Sequence, residues 1–150
     1  MRNEKLYQRL QYVSQSRSRG AEQTFLIKGI AESMKAETFF EIGTGRGTSC
    51  YAVSLLESVK DIVTVDIVSH YAKKREAINS RPVVVSNADL YDMIKFDQKS
   101  KISFKHVSEM PYLVDEYEDE VDVAFIDGNH TDYNIVYQDY LNWIVTGKHV

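Results

Sequence analysis

One cysteine, Cys50, is all the thiol the chain carries. That excludes a disulfide framework within the chain and suits a reducing compartment. Only two prolines and seven glycines interrupt the 150 residues, too few for a collagen-like or low-complexity chain. No apolar run approaches the roughly 18 residues that a membrane-spanning helix needs. The polar start MRNEKLYQRL lacks the apolar core of a secretion signal, so a cytoplasmic protein with no membrane partner is expected. Excess positive charge is missing too. With 18 Lys and Arg against 22 Asp and Glu, the net charge is −4, which argues against nucleic acid as the main partner. What remains, 43% hydrophobic and 27% charged, is a globular composition, and this length is one domain with room for a real core.

Leu6, Leu10 and Val13 recur at i, i+4 and i+7, which predicts an amphipathic helix over residues 3–14. The break SQSRSRG, residues 14–20, is read as a solvated loop in preference to an anion site at Arg17 and Arg19. A second helix should place Ile27, Ile30, Ala31 and Met34 on one face. These N-terminal helices, residues 1–36, lead into a core over 37–150. Residues 38–42 predict a buried strand and 48–59 a helix with Ala52, Leu55, Leu56 and Val59 inward. The run DIVTVDI follows and closes on Asp66; without clean alternation, it suits a parallel strand covered on both faces. Strand, helix, strand within about 30 residues is a βαβ unit.

Residues 71–79 are expected to be helical, and SNADLYDMIKF a helix capped by Ser86 or Asn87. The next convincing strand is ISFKHV, residues 102–107. The interval is therefore read as an insertion, with a strand at residues 83–85 as the alternative. The acidic run DEYEDEVD, 115–122, is read as a solvated loop in preference to a cation site. VDVAFID, 121–127, predicts a further strand, and a last helix should bring Val136, Tyr140, Trp143 and Ile144 together before Gly147 caps it. The alternation specifies an α/β fold: a doubly wound, mostly parallel sheet with helices on both faces. Ligands of such sheets bind beyond the carboxyl ends of the strands, where the glycine turn, Asp66 and Asp127 would gather.

Within TFFEIGTGRGTS, the glycines are Gly43, Gly45 and Gly47, with Thr48 where a dinucleotide-binding turn places its third glycine. No Gly-Lys-Ser/Thr follows, which excludes a P-loop. Glu41, two residues before the first glycine, would repel phosphate and would welcome a cationic ligand or a ligand amine. Asp66, about twenty residues on, suits an acceptor for two ribose hydroxyls, the alternative being a helix cap. His130, in the turn after Asp127, has an ordinary pKa of about 6.5 that suits a general base; a turn residue is the plainer role. His106 and His70 are weaker candidates.

EIGTGRGTS, VTVDI and FIDGNHTDYN, in that order and followed by a Tyr/Trp helix, resemble the class I S-adenosylmethionine-dependent methyltransferases. The resemblance covers about residues 21–150 and is nearest to the small-molecule O-methyltransferase branch that carries FIDG-x-H. It implies a Rossmann-like, S-adenosylmethionine-binding domain that methylates a small-molecule hydroxyl. By the same resemblance Glu41, Gly43, Thr44, Gly45 and Gly47 surround the methionine part of the cofactor. Asp66 takes the ribose, Ile67 lies on the adenine, and Ser108 or Glu109 meets the adenine amine. Asp127 faces the transferred methyl and either binds a divalent metal such as Mg or orients the acceptor, and His130 is a second ligand, a base or a turn residue.

The family sheet normally has seven strands, and this chain stops at GKHV, where a fifth should begin. A fragment of a longer reading frame is the favoured expectation. A shortened, non-catalytic cofactor-binding module and a homo-oligomer that borrows a partner's strands are the others. An NAD-dependent oxidoreductase shares the fold but fails on the glycine spacing.

Overall fold

The computed structural model describes residues 19–78, 81–93, 96–108, 121–128 and 132–141. The helix expected over 3–14, Arg17, Glu109, residues 115–120 of the acidic run, His130, Trp143, Ile144 and Gly147 lie outside them.

Helix α1 (Arg19–Ser33) precedes β1 (Thr38–Ile42), α2 (Thr48–Val53) and β2 (Asp61–Asp66). An insertion follows, made of β3 (Lys74–Ile78), β4 (Arg81–Val85) and α3 (Asn87–Met93). The chain then continues through β5 (Ile102–His106), β6 (Val123–Ile126) and α4 (Tyr133–Tyr140). The central sheet runs β5-β2-β1-β6, and every neighbouring pair is parallel.

Apolar content on both faces explains why β1 and β2 read as unbroken runs. Phe39, Ile62 and Ile102 join α2 and α3 in one buried cluster. Phe40, Ile42, Val63 and Val65 form another with Val121. Because side chains alternate along a strand, Glu41 shares the face of Phe39, and its register partner is Thr64. At the amino end of β1, the Asp122 carboxylate accepts hydrogen bonds from the Glu37 and Thr38 amides at 2.7 and 2.9 Å.

Four helical expectations change. The described part of 71–79 is not a helix: Lys74–Ile78 is β3 and pairs antiparallel with β4. AKKREA has helix formers but no apolar stripe to pack, whereas RPVVV beside it offers a β-branched partner. The insertion reading and its strand alternative are thus both realised, since Val83 and Val85 pack on the main cluster. In α1 the inward face is Thr24, Ile27, Lys28 and Ala31, while Ile30 and Met34 are exposed. The small side chains of Thr24 and Ala31 allow close approach to α2, and Thr24 Oγ1 lies 3.4 Å from Thr48 Oγ1. Helix α2 ends at Val53, so the chain keeps Ala52, Leu56 and Val59 buried but rotates Leu55 outward. In α4 Tyr140 is exposed and Asp139 is buried instead, its carboxylate turned toward Gly128 at the end of β6.

Candidate functional site

The site is assembled by extending each strand's ladder one residue past its end. The Gly43 amide donates to the Val65 carbonyl at 2.9 Å, the Asp127 amide to Ile42 at 2.8 Å, and the Val107 amide to Asp66 at 3.0 Å. These bonds bring the glycine turn, Asp66, Val107 and Asp127 to one edge of the sheet, as the topology required.

Gly43, Gly45 and Gly47 all have positive φ, at 92°, 50° and 77°. This left-handed backbone is open to glycine and strained for other residues. The first two serve different ends. A Cβ on Gly43 would lie 2.2 Å from the Asp127 carbonyl oxygen, so this glycine lets the loop approach the end of β6. Among the described residues a Cβ on Gly45 would meet nothing within 4 Å, so this glycine faces open space among them.

Beneath the loop lies a polar chain. Cys50 Sγ and Thr64 Oγ1 each donate to Glu41 Oε2 at 2.8 Å. Thr44 Oγ1 lies 2.7 Å from Thr64 Oγ1; with the Thr64 proton directed to Glu41, the Thr44 hydroxyl is the donor. Glu41 is 1% exposed. Burial lifts its carboxyl to about 7, against the hydrogen bonds of Cys50, Thr64 and Ser49, and the nearby Asp127 charge adds to the rise. The Cys50 thiol is pushed up by burial first and the Glu41 charge second. Glu41 and Thr44 therefore direct their side chains into the floor of the loop, with Cys50 and Thr64 as partners.

Beside the loop stands Asp66. Its Oδ2 accepts the Gly45 amide at 2.9 Å and its Oδ1 the Val68 amide at 2.8 Å. Ile67 and Val68 follow with 53% and 59% of their surface exposed, an apolar ledge at the strand end. Ser108, exposed, comes one residue after the Val107 amide that bonds Asp66. Asp127 is half-buried across from Gly43.

Two further residues meet the loop: Asn87, expected only as a helix cap, and His70, a weaker candidate. Asn87 Nδ2 donates to the Gly45 carbonyl at 2.7 Å. His70, buried, stacks on Phe104 with centroids 3.8 Å apart and holds its Cε1 3.2 Å from the place of a Gly47 Cβ. Burial, aided by Lys74 and Lys99, lowers the His70 pKa to about 4. Thr64 had a signal, being the one polar residue inside the apolar run IVTV.

The donor set suits a nucleoside with a cationic or neutral tail: an anionic rim at Asp66, an apolar ledge, and open backbone at Gly45. No group of three His, Cys, Asp or Glu side chains that could hold a metal occurs among the described residues.

A twisted parallel sheet whose ligand edge is a glycine turn and two strand-end aspartates defines a class of nucleotide- or nucleoside-binding α/β proteins. Residues 40–146 match the family model described as a methyltransferase domain, and the chain belongs to that family. Solved structures with the same fold include the methyltransferase domain of bacterial CtHen1, at 17% identity and TM-score 0.57, covering 81% of this chain and 58% of that one. The S-adenosylhomocysteine-bound methyltransferase PaMTH1 of Podospora anserina is 18% identical with TM-score 0.56, covering 91% and 55%. The O-methyltransferase TomG of Streptomyces achromogenes, in complex with S-adenosylmethionine, is 20% identical with TM-score 0.55, covering 91% and 58%. The chain thus spans little more than half the length of these structures. No curated protein matches it in sequence.

Proposed function

We propose that the chain is the cofactor-binding part of an S-adenosylmethionine-dependent methyltransferase acting on a small-molecule hydroxyl. The observation that carries this reading is Gly45, with its amide on Asp66 and open space before its Cα, in a methyltransferase-domain sequence. Gly43, Gly45 and Gly47 present backbone to the methionine part, with Glu41 and Thr44 shaping the loop from below. The Asp66 carboxylate has about four lone-pair positions, and those not used by the two amides accept the ribose hydroxyls. Ile67 and Val68 give the adenine an apolar face, and Ser108 meets its edge. Once bound, the cofactor supplies an activated sulfonium methyl, so the protein's share is alignment and removal of the acceptor's proton.

Asp127 orients the acceptor hydroxyl from the end of β6, and His130, three residues on, takes its proton. NAD fits the loop less well, since Thr48 replaces the third glycine of a dinucleotide-binding turn. The test is transfer of a labelled methyl group to a panel of phenols, sugars and hydroxy acids. Labelled product with Asp127→Ala silent supports the reading. S-adenosylhomocysteine binding without transfer to any acceptor would reduce the chain to a binding module.

A further inference from the structure

We propose that Asn87 is a positioning residue of the cofactor loop, gripping Gly45 from the insertion while Asp66 grips it from the sheet; this rests on the cofactor reading above. Gly45 has φ 50° and no side chain, so only its own peptide groups can be held. Its amide is taken by Asp66 Oδ2 at 2.9 Å and its carbonyl by Asn87 Nδ2 at 2.7 Å. A residue held by both its amide and its carbonyl, with open space on its remaining side, is fixed toward that space.

The local structure delivers Asn87 to this task. As the first residue of α3 it is a natural cap, but the cap is made by its neighbours. Ser86 Oγ accepts the Asp89 amide at 3.1 Å, and Asp89 Oδ2 accepts the Ser86 amide at 2.7 Å, a reciprocal capping box. Lys73 Nζ braces Asp89 from β3's approach at 2.8 Å. Asn87 is thereby released to point at the loop, and it is 5% exposed.

Its other amide atom, Oδ1, is buried with no hydrogen-bond partner among the described residues. An unsatisfied buried oxygen is a cost to folding. What Asn87 adds is the donor aimed at Gly45. The bond also defines the amide's orientation, since the reverse would set two oxygens face to face. His70 meets the same loop at Gly47, and its carbonyl accepts the Ala88 amide at 3.4 Å, which ties the two contacts together.

The test is calorimetric titration of the wild type, Asn87→Ala and Asn87→Asp with S-adenosylhomocysteine, with amide exchange measured on the ligand-free proteins. Asn87→Ala should weaken binding roughly tenfold, the usual scale for one well-aligned buried hydrogen bond. Asn87→Asp, almost identical in shape, should lose at least as much because a carboxylate cannot donate to the Gly45 carbonyl. In both variants the Gly45 amide should exchange faster while the amides of β1 and β2 keep their protection. Wild-type affinity in both variants, or an equal loss of protection throughout β1 and β2, overturns the proposal and leaves the cofactor reading standing. A wild type that does not bind S-adenosylhomocysteine overturns the cofactor reading, and this inference with it.

Discussion

Glu41 and Asp66 both bring a carboxylate to the glycine loop, one from below and one from the side. Glu41 is fully enclosed, and its hydrogen bonds come from the side chains of Cys50 and Thr64. Asp66 is half-exposed and accepts from the backbone amides of Gly45 and Val68. A desolvated carboxyl with neutral donors gives up its proton reluctantly, whereas one at an open strand end keeps lone pairs directed outward. The floor of the loop is therefore a matter of stability and pH, and its rim, in the proposed reading, a matter of recognition.

The largest expected effect lies where loop and sheet touch. Gly43→Ala drives a Cβ to 2.2 Å from the Asp127 carbonyl at a φ of 92°, and should cost several kcal/mol, on the order of 10 °C in Tm. Calorimetric scanning checks it; a drop of a degree or two would mean the loop does not approach β6 so closely. Next is the rim. Asp66→Ala should weaken S-adenosylhomocysteine binding about 10- to 100-fold, the scale of losing hydrogen bonds to a charged acceptor, with a smaller change in Tm. Glu41→Gln should do the reverse, leaving affinity within about threefold, since it keeps the shape of the floor. If the two variants exchanged these outcomes, the division between floor and rim would be wrong.

The floor also predicts a pH dependence. The Glu41 carboxyl titrates at about 7 when folded and near 4.5 when unfolded, so the native state holds a proton that the unfolded chain releases. Its contribution is full below pH 4.5 and is lost as pH rises through about 7, at most about 3 kcal/mol. His70 works in the opposite sense. With its pKa lowered from 6.5 to about 4, its contribution is present above 6.5 and lost as pH falls through 4. The wild-type profile mixes the two, but the difference between Glu41→Gln and wild type isolates Glu41. Measured by denaturant unfolding, that difference should move in favour of Gln between pH 4.5 and 7 and then level off; a constant difference would contradict the assignment. The smallest effect on binding belongs to the far end of β1. Asp122→Asn should cost about 1 kcal/mol through its weakened hold on the Glu37 and Thr38 amides, with S-adenosylhomocysteine affinity unchanged by titration.

The sheet and the loop were legible in the chain because their causes are local. Buried parallel strands must be apolar on both faces, as FFEI and IVTV are, and a turn with three positive φ angles must be glycine-rich. Asp66 and Asp127 were legible as acids closing apolar runs. The insertion was not, because AKKREA favours a helix by propensity and becomes a strand only through pairing with RPVVV. Asn87 was legible as a helix start but not as a partner of Gly45, 42 residues away, since nothing in local spacing encodes that contact. Glu41 showed its place before the glycines but not its direction, which depends on strand alternation and on Thr64 in the neighbouring strand.

The central claim is that the loop, with Asp66 at its rim, holds a phosphate-free nucleoside. Calorimetric titration of the wild-type chain with S-adenosylhomocysteine and, separately, with NAD tests it most directly. Saturable one-to-one binding of S-adenosylhomocysteine with no heat from NAD is the predicted result. Binding of NAD alone would contradict it.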